Sequence, residues 1–256
     1  MIASLGMYDL APAQPANDRY WALIRDNLRT RGLAAPEALT RGEAAYFPAW
    51  DAPDLVLSQT CGYPFRALLH ARVTYVGTPD HGVEGCAPGY YRSVFVVRAD
   101  DPRTGLDAFD GAAFAFNEAL SQSGWAAPQV HFQRLGLRLN ASLCTGGHRF
   151  SAMAVAEGKV DIAALDAVTW DLMQGIEAVT AHLRVIAMTE PTPGLPYIAA
   201  LGSDAAATFD AIAAAMAALS SQDRQALRLR GLVRIPEAAY LAVANPPANP
   251  PDTGRA

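Results

Sequence analysis

Four consecutive residues, Ser121-Gln122-Ser123-Gly124, have the groups that could bind a small anion. They follow a predicted buried strand, Ala112 to Phe116, and they open a predicted helix. The first backbone amides of a helix have no partner within it, and the positive end of the helix dipole lies behind them. With two hydroxyls and a side-chain amide, this helix start suits a phosphate, phosphonate or carboxylate. The residues leave a second interpretation open, which is N-capping without a ligand, because serine is favoured at any helix start.

A second group of polar residues follows predicted strands nearer the N-terminus. The chain alternates strand, helix and strand there, which predicts an α/β fold with parallel strands. Ligands of such sheets gather beyond the carboxyl ends of the strands. The residues at these ends are Tyr8, Asp9, Gln59, Thr60 and Tyr63. Ordinary turn chemistry with a half-buried tyrosine is the alternative interpretation.

The sequence has no motif for catalysis or metal binding. The patterns G-x-S-x-G, H-E-x-x-H, G-x-G-x-x-G and the P-loop do not occur, and the histidines are not at metal-ligand spacing. We therefore expect no catalytic residue, no metal and no cofactor. The histidines are His70, His81, His131, His148 and His182.

The cysteines and the N-terminus bear on the cell compartment. Cys61, Cys86 and Cys144 fit neither a zinc pattern nor a disulfide framework, although a Cys61–Cys86 bridge stays open for an exported protein. The first ten residues, MIASLGMYDL, have no basic segment followed by a long apolar run. The sequence as given therefore predicts either a cytoplasmic protein or the processed form of an exported one.

Composition bounds the class of protein. A chain of 256 residues with 51% hydrophobic and 18% charged residues can bury a sizeable core, as one large domain or as two lobes. The net charge of -5, without a basic block, argues against nucleic acid as a partner. No apolar run reaches the roughly 18 residues that cross a bilayer, so we expect no membrane insertion.

Two irregular, proline-containing segments predict crossings between lobes: Asp100-Asp101-Pro102 and Thr189 to Pro196. The predicted division is residues 1–98 and 195–256 for lobe 1 and residues 99–194 for lobe 2. Residues 245–256, with four prolines, are predicted to be a disordered tail. Further strands are predicted at residues 1–7, 43–50, 54–58, 73–76, 94–97, 130–137, 160–166, 183–188 and 197–201. Further helices are predicted at residues 17–31, 169–178, 205–219 and 237–243, and after His148.

Four passages together resemble a known family. They are YYRSVFVVRADD, then DAFDGAAFAFNEALSQSGWAAP, then TGGHRFSAMAVAEGKVDIAALDAVTWD, and finally RVIAMTEPTPGLPY. Each is weak alone, but in this order they are specific. From Tyr8 to Tyr197, the chain resembles the phosphonate-binding proteins of ABC transporters, within the type II periplasmic solute-binding family.

The resemblance implies a fold of two α/β lobes, each a mostly parallel sheet flanked by helices, joined by a two-stranded hinge and closing over a ligand. It implies that the turn at Ser121, Gln122, Ser123 and Gly124 holds the anion. Tyr63 and Tyr91 would wall the cleft from lobe 1, with Tyr8 a further contact, and His148 and Asp166 would face the ligand from lobe 2. Family members often have Ser-Thr-Ser at the turn, so Gln122 changes the size of the pocket.

The function that follows is a solute-binding protein for a phosphonate, a phosphate ester or a related oxyanion, with a transporter permease as partner and the chain itself a monomer. If Asp166 faces the ligand, it favours a solute with a cationic group beside the anion, whereas its plainer role is to cap the next helix. Two alternatives stay open. One is a cytoplasmic sensor or scavenger on the same fold, and the other is an enzyme that uses His148 as base and Asp166 as its orienting partner, with Cys144 nearby in sequence.

Overall fold

A computed structural model describes residues 1–248 of the chain, which form two compact units. Unit 1 contains Met1–Tyr90 and Pro193–Ala242. Unit 2 contains Tyr91–Thr192 and the described residues from Val243 onward. Of the tail predicted to be disordered, residues 249–256 lie outside the described residues, and residues 245–248 form neither helix nor strand.

Strands and helices alternate through much of the described chain. The strands are β1 (Ile2–Ser4), β2 (Leu55–Gln59), β3 (Val73–Asp80), β4 (Tyr90–Tyr91), β5 (Ser93–Arg98), β6 (Ala113–Phe116), β7 (Asn140–Cys144), β8 (Ile162–Asp166), β9 (Leu183–Met188), β10 (Thr192–Pro193), β11 (Tyr197–Ala200) and β12 (Gly231–Val233). The α-helices are α1 (Gln14–Thr30), α2 (Phe47–Trp50), α3 (Gly62–Pro64), α4 (Ala127–Arg134), α5 (His148–Ala156), α6 (Ala167–Gln174), α7 (Ala205–Ala218), α8 (Ser221–Leu227) and α9 (Glu237–Leu241). Single π-helical turns follow α3 and precede α4, at Phe65–Leu69 and Gln122–Ala126.

Unit 1 is built on a five-stranded mixed sheet in the order β1-β2-β11-β3-β12. Strands β1 and β2 are parallel, and β11 runs antiparallel to both β2 and β3. Strands β1, β2 and β3 therefore run in one direction and end at the same edge of the sheet. Helix α1 buries Tyr20, Trp21 and Ile24 in one core cluster with the small residues of α7.

Unit 2 has a second five-stranded mixed sheet in the order β7-β6-β8-β5-β9. Strands β6, β7 and β8 are parallel, whereas β5 runs antiparallel to β8 and β9. The buried strand β5 reads SVFVVR, and β-branched and aromatic residues of this kind favour strands. Its Phe95 packs on Phe132 of α4 with 5.4 Å between the ring centroids.

The chain passes between the units at residues 90/91, 192/193 and 242/243, and the two-stranded sheet of β4 and β10 lies at the first two passages. Beside them, the amide of Gly194 donates a 2.8 Å hydrogen bond to the carbonyl of Gly89. A Cβ atom on Gly194 would lie 2.7 Å from that carbonyl oxygen, so this approach requires glycine. The predicted two-stranded connection is thus present in the fold.

The predicted α/β fold with two lobes is confirmed, and the sheets prove to be mixed instead of mostly parallel. Each unit receives strands that run against its parallel ones, namely β11 and β12 in unit 1 and β5 in unit 2. The first crossing lies between Tyr90 and Tyr91, eight residues before the predicted boundary at residue 98. The reason is that Asp100-Asp101-Pro102 ends a strand of unit 2 and does not mark a crossing. The return lies between Thr192 and Pro193, two residues before the predicted one.

Two of the predicted strands are wrong. Residues 43–50 form a 3₁₀ turn, Gly42–Ala45, followed by α2, whose first turn contains Pro48. Proline suits a first helical turn and cannot donate to a β ladder. Residues 130–137 were predicted as a strand, but residues 130–134 belong to α4, which follows the serine turn, and residues 135–137 form no strand. In α4, Phe132 is 1% exposed while Leu135, just beyond the helix, is 54% exposed.

Candidate functional site

The serine turn of unit 2 adopts the predicted geometry of a helix start. Ser121 has an extended backbone and is the N-cap of the π-helical turn Gln122–Ala126. Its Oγ accepts a 2.9 Å hydrogen bond from the amide of Gly124. The amides of Gln122 and Ser123 lie earlier in the same turn, where helical geometry gives no intrahelical acceptor. N-capping is therefore present, and it engages the third amide of the turn.

Gly124 is held against a side chain that the sequence analysis did not single out. A Cβ atom at Gly124 would lie 1.8 Å from Oδ1 of Asn117 and 3.2 Å from Oγ of Ser121. Asn117 follows β6, and its backbone carbonyl accepts a 2.8 Å hydrogen bond from the amide of Gly146. The serine turn can therefore pack on this loop only because residue 124 has no side chain.

His148 joins the serine turn from a separate element. It is the first residue of α5, and its Nε2 lies 3.0 Å from the Oγ of Ser123. The backbone carbonyl of Ser123 accepts a 2.8 Å hydrogen bond from the Oγ of Ser93, the first residue of β5. Three elements far apart in sequence thus fix Ser123 on both its side chain and its backbone.

Burial keeps the His148 imidazole neutral. It lowers the pKa of His148 to about 4, against a small opposing effect of the nearby Ala164 carbonyl. The Nδ1 atom is buried and has no hydrogen bond of standard geometry with any residue in the range 1–248. A neutral imidazole has one N–H donor and one acceptor nitrogen, so Nε2 can either donate to Ser123 or accept from it.

Asp166 is the last residue of β8 and caps the helix that follows it. Its Oδ1 accepts hydrogen bonds of 2.7 Å from the amide of Val168 and 3.0 Å from the amide of Thr169. The residue is 3% exposed and pairs in register with Ser93 on β5. The capping role is therefore established, and a contact between Asp166 and a ligand stays a prediction.

The predicted tyrosines are distributed over both units. Tyr8 lies in a 3₁₀ turn of unit 1, where its ring meets His81 edge-on with 4.9 Å between the ring centroids. Tyr63 lies in α3, with the Arg66 guanidinium 4.6 Å from its ring centroid. Tyr91, predicted in lobe 1, is the first residue of unit 2 and is 3% exposed. A ligand contact for each of the three stays a prediction.

The other polar residues at strand ends of unit 1 are engaged in local structure. Asp9 accepts hydrogen bonds from Asn17 and Arg41, the latter at 2.7 Å. Gln59 donates to the carbonyl of Leu195, and the Thr60 amide donates to the carbonyl of Pro196. These contacts join the strand ends to segments that are distant in sequence, and a ligand contact for Asp9, Gln59 or Thr60 stays a prediction.

Within residues 1–248, no group of three metal-ligating side chains could hold a metal ion, and no helix is long and apolar enough to cross a membrane. The three cysteines, all within the described part of the chain, form no disulfide. The Cys61–Cys86 bridge that the sequence left open is therefore not formed in this structure.

Comparison with known proteins places this chain in one family. The solved structures that the chain is similar to include periplasmic binding proteins of type II, which are two-lobed α/β proteins. The family model described as "ABC transporter, phosphonate, periplasmic substrate-binding protein" matches residues 52–240, more than half of the chain. The chain therefore belongs to the phosphonate-type periplasmic substrate-binding proteins of ABC transporters, as its motifs predicted.

Three solved structures illustrate the similarity. PhnD1 of Prochlorococcus marinus, in complex with methylphosphonate, is 16% identical with a TM-score of 0.70, over 93% of this chain and 94% of that one. A Xanthomonas citri protein bound to chloride is 18% identical with a TM-score of 0.68, over 93% and 92%. A phosphonate transporter component of Pseudomonas aeruginosa is 16% identical with a TM-score of 0.60, over 91% and 80%. No curated protein sequence matches the chain.

The site includes residues that sequence reasoning missed. Ser93 was quoted only as the start of a strand, and Asn117 was not considered. Ser93 acts through a hydrogen bond to the carbonyl of Ser123, 30 positions away, and Asn117 acts by packing against Gly124. The local signal for Asn117 was the glycine at position 124, because a glycine can mark a place where another group packs closely. A single sequence does not show which group that is.

Proposed function

We propose that the serine turn of unit 2 binds the oxyanion of a phosphonate, a phosphate ester or a similar small solute. The observation that carries this proposal is the Ser123–His148 pair, 3.0 Å apart at the head of a capped helix. It is supported by family membership and by the methylphosphonate in the related PhnD1 structure.

The donors of this site are neutral. They are the Ser123 hydroxyl, the first amides of the turn and, in the tautomer with its proton on Nε2, the His148 imidazole. When an anion arrives, the Ser123 hydroxyl can turn towards it, because a serine hydroxyl rotates to suit its acceptor. Each charge-assisted hydrogen bond of this kind contributes roughly 1.5–3 kcal/mol. Discrimination between anions would then follow from shape and hydrogen bonding.

We expect binding without catalysis, because the family to which the chain belongs is one of substrate-binding proteins. The enzymatic alternative, with His148 as base and Asp166 as its orienting partner, is tested separately. Phosphorus NMR of methylphosphonate and phosphate esters incubated with the protein tests this part of the proposal. Release of inorganic phosphate, absent with heat-denatured protein, would contradict it.

The binding proposal is tested by isothermal titration calorimetry with methylphosphonate, 2-aminoethylphosphonate, phosphite, phosphate, methylsulfonate and acetate. Ser123→Ala should abolish or strongly weaken the binding that the wild-type protein shows. Ser221→Ala is the matched control, because Ser221 is an exposed serine in unit 1, away from the serine turn. If none of these anions binds to the wild-type protein, the proposal is overturned.

Three further expectations complete the proposed function. The partner is the permease of an ABC transporter, the protein is a monomer, and the two units close on the solute. Small-angle X-ray scattering tests the last two together, because a monomer that closes should keep its mass and lose radius of gyration when methylphosphonate is added. An unchanged radius at saturating solute would contradict closure.

A further inference from the structure

The serine turn contains a backbone carbonyl that its own helix does not satisfy. The turn Gln122–Ala126 is π-helical, and in this register each amide donates to the carbonyl five positions back. The amide of Ala127 accordingly donates to the carbonyl of Gln122. The next carbonyl is that of Ser123, and its partner in the same register would be residue 128. Residue 128 is Pro128, which has no N–H, so the series of helical donors stops one residue short of Ser123.

A side chain from another strand takes the place of the missing amide. The hydroxyl of Ser93 donates a 2.8 Å hydrogen bond to the carbonyl of Ser123. Both residues are buried, with 1% and 3% of their surface exposed. A buried carbonyl left without a donor is costly, so this hydrogen bond stabilises a turn that would otherwise be unfavourable.

The donor itself is held by the sheet. Ser93 opens β5, which lies between β8 and β9 in unit 2. Its amide donates a 2.9 Å hydrogen bond to the Oγ1 of Thr189, and its carbonyl accepts a 3.0 Å hydrogen bond from the amide of Thr189. On the other side it pairs in register with Asp166 of β8. The hydroxyl is therefore presented to the serine turn from a fixed backbone position.

The turn has a second way to satisfy the same carbonyl. In an α-helix each amide donates to the carbonyl four positions back, so the amide of Ala127 would leave Gln122 and donate to Ser123. This register does not need Ser93. It would, however, tighten the turn and move the Ser123 side chain, whose Oγ now lies 3.0 Å from the Nε2 of His148. Single π-helical turns of this kind are frequent at functional sites.

We propose that Ser93 is a positioning residue of the anion site. Its hydroxyl keeps the serine turn in the π-helical register and thereby keeps Ser123 beside His148. Ser93 acts through Ser123 and does not itself contact the anion. The effect on the register is argued from the hydrogen bonds of unit 2 alone, whereas the effect on anion binding rests on the proposed function.

Crystal structures of the solute-free wild-type protein and of Ser93→Ala test the register. In the variant, the amide of Ala127 should donate to the carbonyl of Ser123, and the distance between the Oγ of Ser123 and the Nε2 of His148 should exceed about 3.5 Å, the limit of a hydrogen bond. The ¹⁵N resonance of His148 Nε2 should shift with the loss of this contact. A Ser93→Ala structure that retains the π-helical turn and the 3.0 Å contact would overturn the proposal.

An isosteric pair of variants separates the hydroxyl from the shape of the side chain. Ser93→Thr retains the hydroxyl and should keep the π-helical register, whereas Ser93→Val replaces it with a methyl group and should lose that register. Both side chains are β-branched and suit a strand. If neither Ser93→Ala nor Ser93→Val folds, the wild-type crystal decides, because an α-helical serine turn there would contradict the proposal.

Calorimetric titration with methylphosphonate tests the effect on binding. The Kd of Ser93→Ala should rise about tenfold, which corresponds to one hydrogen bond of ordinary net strength, and Ser93→Thr should bind like the wild-type protein. Ser58→Ala is the matched control. Ser58 is a buried strand serine of unit 1 whose Oγ accepts a hydrogen bond from the indole of Trp50. Its replacement should lower the free energy of unfolding and leave both the register and the Kd unchanged.

The outcomes distinguish this proposal from the proposed function. If methylphosphonate and the other anions do not bind to the wild-type protein, the proposed function fails, and the solute-free crystals still decide the role of Ser93 in the register. If the register changes in Ser93→Ala but the Kd does not, Ser93 is not a positioning residue of the site. If Ser58→Ala weakens binding as much as Ser93→Ala, a general loss of stability explains the effect, and the proposal is wrong.

Discussion

The hydroxyl of Ser123 and the Nε2 atom of His148 lie 3.0 Å apart although 25 positions separate them in the chain. The first belongs to a turn that follows β6, and the second begins α5 after β7. Because β6 and β7 are adjacent and parallel, their following segments meet at one edge of the sheet. The topology of unit 2 thus creates the pair.

Removal of the Ser123 hydroxyl should weaken anion binding and leave the fold intact. Ser123→Ala deletes one donor to the oxyanion, so we expect the Kd for the tightest-binding anion to rise roughly 10- to 150-fold, which corresponds to about 1.5–3 kcal/mol. Calorimetric titration measures the change. Ser221→Ala should bind like the wild-type protein, and an unchanged Kd in Ser123→Ala would count against the site.

Gly124→Ala should destabilise unit 2, because the new Cβ atom would collide with Oδ1 of Asn117. The expected loss in the free energy of unfolding is about 1–3 kcal/mol, the usual effect of an overpacked side chain. Urea denaturation measures it. The double variant Gly124→Ala with Asn117→Gly should recover much of the loss, because the colliding atom is gone.

The matched control for this experiment is Gly175→Ala. Gly175 is exposed at the end of α6, and the nearest atom to its Cβ position is 3.7 Å away. We expect little change in stability. A loss as large as that of Gly124→Ala would show that the collision is not the cause.

Acidification should destabilise the fold through its two buried histidines. Burial lowers the pKa of His81 and of His148 to about 4, below the ordinary value of 6.5. Between pH 6.5 and 4, the unfolded chain binds protons that the folded chain does not, so stability falls as the pH falls through this window. We expect a loss on the order of 1–2 kcal/mol for each histidine.

Urea titrations at pH 7 and pH 4.5 measure this dependence. His148→Gln and His81→Gln should each reduce the difference between the two pH values, and the double variant should reduce it further. His70→Gln, at an exposed position, should leave the difference unchanged. An equal pH dependence in all of these proteins would contradict the assignment to His81 and His148.

Asp166→Ala should destabilise α6 by roughly 0.5–2 kcal/mol, because the cap of two backbone amides is lost. Asp166→Asn should retain most of the stability, since asparagine also caps helices. Asp204→Ala provides a matched cap in α7, where the carboxylate accepts from the amides of Ala206 and Ala207 at an exposed site.

The Asp166→Asn variant also tests the prediction that Asp166 faces a cationic group of the solute. If so, the variant weakens binding of 2-aminoethylphosphonate more than binding of methylphosphonate, because only the former has an ammonium group. If the variant affects binding of the two solutes equally, Asp166 does not contact the ammonium group and acts only as a helix cap.

The sequence predicted the parts of this structure that depend on local chemistry. The turn at Ser121 has a capping serine and a glycine within four residues, so its geometry follows from neighbours in the chain. The helix cap that the sequence offered for Asp166 is present. The ligand contacts of His148 and Asp166, which rest on family resemblance, stay predictions. Ser93 and Asn117 were missed, because each depends on a contact between segments that only the folded sheet brings together.

The wrong strands have a physical cause as well. Residues 130–137 alternate apolar and polar side chains, yet the cap at Ser121 and the proline at position 128 commit the segment to a helix. The crossing was misplaced because aspartates and a proline after β5 mark the end of any strand. Periodicity and turn residues thus predict the presence of a regular element more reliably than its type or the unit to which it belongs.

The central position of β11 has a consequence for biosynthesis. This strand lies between β2 and β3 in the sheet, although it comes more than a hundred positions after them in the chain. When the N-terminal part of unit 1 leaves the ribosome, its sheet therefore lacks a central strand. Residues 91–192, by contrast, include every strand of the other sheet and can assemble as soon as they emerge. We therefore expect the inserted unit to acquire its native structure first and the interrupted one to be completed last.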